Sequence, residues 1–175
     1  MRKPRQLREH AKYHVTARAN RQEMIFHSEV IKQLFLETIS RAKRKFNFTI
    51  YHFCIMGNHI HFILQPHKGQ NLSRIMQWIL SVFAVRFNST FKLKGHVWYD
   101  RFTSKIIESV RQFISTFEYI THNPQKANLV KDIFLYEYCA LNHYKHSNYK
   151  IVDPPDTLLL LLFPQYMMQQ LQITD

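Results

Sequence analysis

The chain has 175 residues, enough for one domain with a sizeable core. Aromatic residues make up 14% and glycines number only three, which excludes a collagen-like, linker-like or disordered chain. Lysine and arginine total 24 against 12 aspartate and glutamate, a formal charge of +12 before 11 histidines are counted. That balance points to a polyanionic partner, with nucleic acid ahead of a membrane surface.

The charge is unevenly spread. Arg2, Lys3, Arg5, Arg8 and Lys12 form a basic N-terminal arm; Arg41, Lys43, Arg44 and Lys45 form a second cluster; Arg86, Lys92, Lys94, Arg101 and Lys105 form a third. Past Lys150 no basic residue occurs, while Asp153, Asp156 and Asp175 are acidic, so the tail has no charge with which to hold phosphate. Cys54 and Cys139 fit no zinc spacing and read as reduced core thiols of a cytoplasmic protein. The N-terminus lacks the apolar segment of a signal peptide. Leu158 to Phe163 is apolar but far short of the roughly 20 residues that span a bilayer. A soluble, cytoplasmic protein without membrane contact is expected.

Tyr13 to Ala19 is a short β-like run after the basic arm. Ser28 is a helix N-cap, and Ile31, Leu34, Phe35, Thr38 and Ile39 give helical spacing to about Phe46. Asn47 to Ile55 and His59 to Gln65 are rich in β-branched and aromatic residues, and Met56-Gly57-Asn58 between them predicts a hairpin. Asn71 to Phe91 reads as a long amphipathic helix, broken by Lys94-Gly95-His96. Thr103 to Ser109 is another β-like run, and Val110 to Asn123 a helix that stops ahead of Pro124, because the residue before a proline resists the helical region. After Val130 the pattern weakens, and Asp153-Pro154-Pro155 reads as a linker. The order β-α-β-β-α-β plus a further helix predicts an α+β, ferredoxin-like (RRM-like) split βαβ antiparallel sheet. One domain over 1–150 and an apolar tail over 151–175 follow, the tail docking on the body or on a second copy.

His59-Ile60-His61 carries the most chemistry. Two histidines separated by one residue on a strand share a sheet face and can hold one divalent metal if a third ligand arrives from elsewhere. Two imidazoles alone suit zinc, cobalt, nickel or manganese. An amide oxygen and phosphate oxygens in the other positions shift the balance toward Mg2+ or Mn2+. Downstream, Tyr119 and Asn123 stand one helical turn apart. On a helical projection Val110, Phe113, Ile114, Phe117 and Ile120 form an apolar stripe and Tyr119 falls nearly opposite its centre, presented rather than packed. A tyrosine hydroxyl is a weak nucleophile until helped, and a metal beside it can polarise a scissile phosphate. No carboxylate cluster of the two-metal kind lies near the His pair, which favours a covalent tyrosine route over attack by water.

Four blocks carry a family resemblance: Tyr13-His14-Val15-Thr16-Ala17-Arg18 with Asn20, Met56-Gly57-Asn58-His59-Ile60-His61, Gly95-His96-Val97-Trp98-Tyr99-Asp100-Arg101-Phe102, and Glu118-Tyr119-Ile120-Thr121-His122-Asn123-Pro124. In this order the chain resembles the HUH single-tyrosine transposases of small bacterial insertion sequences (IS200-like), particularly their REP-associated branch. The resemblance spans roughly Tyr13 to Tyr144. It implies an enzyme that nicks and rejoins single-stranded DNA, with His59, His61 and Asn123 as metal ligands. Tyr119 is then the nucleophile, forming a 5′-phosphotyrosine bond and freeing a 3′-OH. It also implies a hairpin-bearing DNA end as partner, and relatives act as monomers or as homodimers. The basic arm (Arg2, Lys3, Arg5), Arg18 and Arg101 are candidates for gripping DNA, and Trp98 for stacking on a base. Many relatives have proline at Gly57 and glycine at Ala19 and Asn128; asparagine tolerates the left-handed backbone. Against the transposase stand a nucleic-acid-binding module without chemistry, a domesticated element-derived endonuclease, and a replication initiator or relaxase. The last is disfavoured by the short chain.

Overall fold

Four strands set the architecture, β-branched and aromatic residues burying most of the central ones. In the computed structural model, which describes residues 7–167, Lys12–Arg18 (β1), Phe48–Ile55 (β2), His59–Pro66 (β3) and Thr103–Ile107 (β4) form one antiparallel sheet in the order β2-β3-β1-β4. That is the ferredoxin-like order. On one face Tyr13, Val15, Ile60 and Phe62 bury themselves under Glu29–Lys45 (α1) and Leu72–Phe91 (α2). Phe35 of α1 lies 5.0 Å from Phe83 of α2 and 6.4 Å from Phe62, ring to ring, so this layer is an aromatic core. Both helices start at capped ends: Ser28 accepts from the Ile31 amide, and Asn71 Oδ1 from the Ser73 amide at 2.8 Å.

The opposite face carries Val110–Thr121 (α3), capped by Ser109. Its buried residues are Phe113, Phe117, Ile120 and Thr121; Phe113 meets Tyr51 at 5.7 Å and Phe117 meets His52 at 4.3 Å. The helix does not run unbroken to Asn123. It ends at Thr121, and a single turn, Asn123–Lys126 (α4), carries the chain through Pro124. A proline in the first turn of a helix gives up only an amide that has no intrahelical acceptor, so the sequence restarts a helix where it was expected to stop. Asn128 just beyond adopts φ 54°, the left-handed region where asparagine stands in for glycine.

Residues after Val130 cover the exposed edge of β2. The Ile55 amide donates to the Tyr138 carbonyl (2.9 Å), the Tyr136 hydroxyl to the Ile55 carbonyl (2.7 Å), and the Tyr144 hydroxyl to the Tyr51 carbonyl (2.8 Å). Asp153 continues the seam: its amide donates to the Ile50 carbonyl, its carboxylate accepts from the Ile50 amide at 2.9 Å, and it pairs with Lys43. An edge strand satisfied this way offers no free ladder to another chain. Ala140–Lys145 (α5), Thr157–Leu162 (α6) and Pro164–Met167 (α7) complete the fold, with Phe163 stacked 4.0 Å from Phe117 of α3. Cys54 and Cys139 face each other in the β2 seam as buried free thiols. Among the described residues no helix is long and apolar enough to cross a membrane.

Candidate active site

The hairpin that delivers the His pair is tightly closed. The Met56 amide donates to the His59 carbonyl at 2.8 Å, and the Phe26 amide to the Gly57 carbonyl at 2.9 Å. A Cβ at Gly57 would lie 2.2 Å from Met24 Cε, so glycine here lets Met24 cover the turn. Ala19, the other departure from the family pattern, is fully buried, and its amide donates to the Asn58 carbonyl at 2.8 Å.

Register then decides what surrounds the histidines. Arg18 pairs with His59, Thr16 with His61 and His14 with Ile63, so Arg18, Thr16 and His14 stand on the face that bears both imidazoles. His61 Nδ1 lies 3.1 Å from Thr16 Oγ1 and 3.1 Å from His14 Nε2, and its ring stacks on His14 at 5.3 Å. His59 Nδ1 lies 2.6 Å from Asn58 Oδ1. With Nδ1–H donated in each case, both rings keep Nε2 as a lone pair, and His61 Nε2 is buried with no hydrogen-bond partner. Burial first, then the neighbouring histidines and Arg18, lowers the His61 pKa to about 3. Burial and Arg18 lower that of His59, and burial and Lys105 that of His14. Three neutral imidazoles therefore meet at neutral pH.

Tyr119 comes to this cluster from the same chain. It lies off the buried stripe of α3 and is 46% exposed, yet its ring stands 5.6 Å from that of His61 and 6.2 Å from that of His14. Lys126 Nζ sits 5.9 Å from the centre of the Tyr119 ring. The adjacent carboxylate turns away: Glu118 accepts from the Tyr166 hydroxyl at 2.7 Å and lies 3.3 Å from His122 Nε2. Asn123, one turn past Tyr119, has a buried side-chain nitrogen without a partner. Rotating the amide would put its oxygen in that orphaned place. Unengaged imidazole nitrogens and an amide oxygen are, by type, donors that a divalent cation accepts. Among the described residues no group of three or more His, Cys, Asp or Glu is placed to hold a metal ion.

Other expected residues lie elsewhere. Trp98 is half-buried against Phe26, Phe35 and Phe83, and its indole N–H donates to the Leu80 carbonyl at 2.9 Å. Arg101 is exposed on the segment between α2 and β4. Arg2, Lys3 and Arg5 fall outside the described residues. The sequence reading missed His14 and Thr16 as neighbours of His61. Their i, i+2 spacing on β1 mirrors that of the His pair and was the available signal. It also missed His52, fully buried, whose Nε2 lies 2.9 Å from Thr121 Oγ1 and ties α3 to the sheet.

Fold and site define a ferredoxin-like α+β protein whose paired strand histidines face a helical tyrosine of the same chain. The model of the IS200-like transposase family matches residues 8–123, and the chain belongs to that family. It is therefore a transposase, a DNA-cleaving enzyme. Among solved structures, that of the REP-associated tyrosine transposase bound to a REP hairpin superposes with a TM-score of 0.70 at 21% identity, covering 89% of this chain and 93% of that one. A Deinococcus radiodurans R1 crystal structure described as a transposase aligns with a TM-score of 0.47 at 16% identity, over 69% of this chain and 95% of that one. No curated protein sequence matches this chain.

Proposed function

We propose that this transposase nicks and rejoins single-stranded DNA through a covalent tyrosine link. The observation that carries the reading is the Tyr119 ring 5.6 Å from His61, whose Nε2 is buried and unengaged. The Tyr119 oxygen attacks the scissile phosphorus, giving up its proton as the Tyr–O–P bond forms. The bond to the 3′ oxygen breaks, and that oxygen leaves as a 3′-OH. A 3′-OH attacking the phosphotyrosine reverses the step, so strands are rejoined without an external energy source.

His59, His61 and Asn123 would hold a divalent cation, Mg2+ or Mn2+, which when bound polarises the phosphate and offsets charge in the transition state. The residues of the chain do the rest. Thr16 and His14 fix the His61 ring, Asn58 fixes that of His59, and Arg18 and Lys126 place positive charge beside the phosphate. Because one chain brings Tyr119 to the histidines, the reading needs no second copy. A hairpin-bearing DNA end is the natural substrate class, since the structural relative was solved on such a hairpin.

The test is single-stranded DNA from the protein's own locus, incubated with Mn2+ or with EDTA. Wild type is expected to give a denaturation-resistant protein–DNA adduct only with the metal, and Tyr119→Phe none with either. Tight binding without an adduct under any metal would leave a nucleic-acid-binding module instead.

A further inference from the structure

The segment between α2 and β4 pairs with the end of β1 and then bulges. Ala19 bridges to Trp98, whereas Thr16 pairs with Thr103. Three steps along β1 thus face five along its partner, leaving two extra residues between the pairings. A bulge of this kind bends its strand and re-aims side chains, commonly beside active sites. The Tyr99 amide donates to the Arg18 carbonyl at 3.0 Å, which continues the antiparallel register and sets Tyr99 opposite Arg18. Arg18 is paired on its other side with His59. The row His59–Arg18–Tyr99 therefore crosses one sheet face, with Tyr99 about 10 Å from His59 at two strand spacings.

Trp98 and Tyr99 divide their work by orientation. Trp98, bridged to Ala19, packs inward on the phenylalanine core, whereas Tyr99 is bonded to Arg18, whose side chain lies on the other face. Tyr99 is 72% exposed, a large aromatic surface that the fold leaves open in a row with a cation and the candidate site. Arg101, two residues on, is exposed as well and adds a second cation beside the ring. Cationic side chains flanking an exposed ring are what a single strand requires: charge for the phosphates and a π-face for a base.

We infer that Tyr99 is a base-stacking platform for the single-stranded DNA held at the candidate active site. This rests on the function proposed above. A base flanking the scissile phosphate stacks on the Tyr99 ring, and Arg18 and Arg101 take the phosphates on either side. Tyr99 thereby sets which stretch of strand is presented to Tyr119.

Stacking and charge separate by their salt dependence. The probe is a fluorescein-labelled single-stranded oligonucleotide of mixed sequence, about 20 nucleotides long, long enough for one site. Its binding to the full chain is followed by anisotropy in EDTA across a salt series. Tyr99→Ala is expected to weaken binding between about 5-fold and about 150-fold with an unchanged slope of log K on log salt. Tyr99→Phe is expected to bind as wild type, and Arg101→Gln to make the slope shallower by about 0.7. Tyr99→Ala binding like wild type, or losing affinity only through its salt slope, overturns the platform. If wild type still forms its adduct in that case, the transposase reading stands alone. No binding of the single strand by wild type overturns both.

Discussion

The Thr121 hydroxyl donates to His52 Nε2 across 2.9 Å, joining the helix that carries Tyr119 to the strand beside the His pair. His52 is fully buried, and its Nδ1 is occupied by the Phe53 carbonyl at 3.1 Å, so Nε2 has to accept. Thr121→Val keeps the shape and strands that nitrogen. The loss of stability is expected to be about 1–3 kcal/mol by urea denaturation. Thr121→Ser restores most of it. Because Tyr119 and Asn123 each lie two residues away, cleavage is expected to slow more than DNA binding weakens. A Thr121→Val enzyme of native stability would show that this bond does not hold the helix.

Thr16 is the hydroxyl partner of His61 Nδ1. Replacing it with valine frees the ring that the site needs fixed. Metal affinity, read by Mn2+ paramagnetic resonance or calorimetry without DNA, is expected to fall about 10- to 100-fold. Thr16→Ser is expected to retain it. Unaltered affinity in Thr16→Val would remove Thr16 from the support of the site.

Stability is expected to fall on acidification well before the carboxylates titrate. Burial lowers the His52 pKa from 6.5 to about 3, outweighing the Phe53 carbonyl, which raises it. Between those values the unfolded chain carries a proton at His52 that the folded chain refuses, so the unfolded state binds more protons and stability drops as pH falls. His14, His59, His61 and His143 are lowered as well and add to the slope. Denaturation midpoints from pH 7.5 down to pH 4, at roughly unit steps, check this. His52→Gln is expected to flatten part of the decline, and an undiminished slope in that variant would contradict the assignment.

Phe163 packs against both Phe117 and Tyr166, with ring distances of 4.0 Å and 6.1 Å, and is fully buried. Phe163→Ala is expected to cost about 3–5 kcal/mol. Amide exchange in α3 is expected to quicken more than that in β1 or β3. Uniform acceleration across the sheet would mean that the C-terminal helices support the whole fold rather than this helix.

Much of this was legible in the residues. Ser28 announced a helix start by cap chemistry, and the β-branched runs around Gly57 announced the hairpin, because both signals are local. The His pair was legible from its i, i+2 spacing alone. Residues 130–153 were not, since what orders them is long-range: the hydroxyls of Tyr136 and Tyr144 and the carboxylate of Asp153 bond to the edge of β2, with no periodicity to mark it. Asp153-Pro154-Pro155 reads as a linker by composition, yet Asp153 is a clamp. His14 and Thr16 escaped for a related reason: their role appears only once β1 is registered against β3. Pro124 misled because its effect depends on whether it falls inside a helix or in the first turn of a new one.

The central claim is that the Tyr119 oxygen becomes the atom joined to DNA. The most direct measurement is mass spectrometry of the trapped adduct after nuclease trimming and tryptic digestion. The peptide Gln112–Lys126 contains Tyr119 as its only tyrosine. A nucleotide remnant on that peptide, fragmenting to Tyr119 and absent when EDTA replaces Mn2+, is the expected result. A remnant on any other peptide, or DNA cut with no covalent remnant at all, would contradict the account.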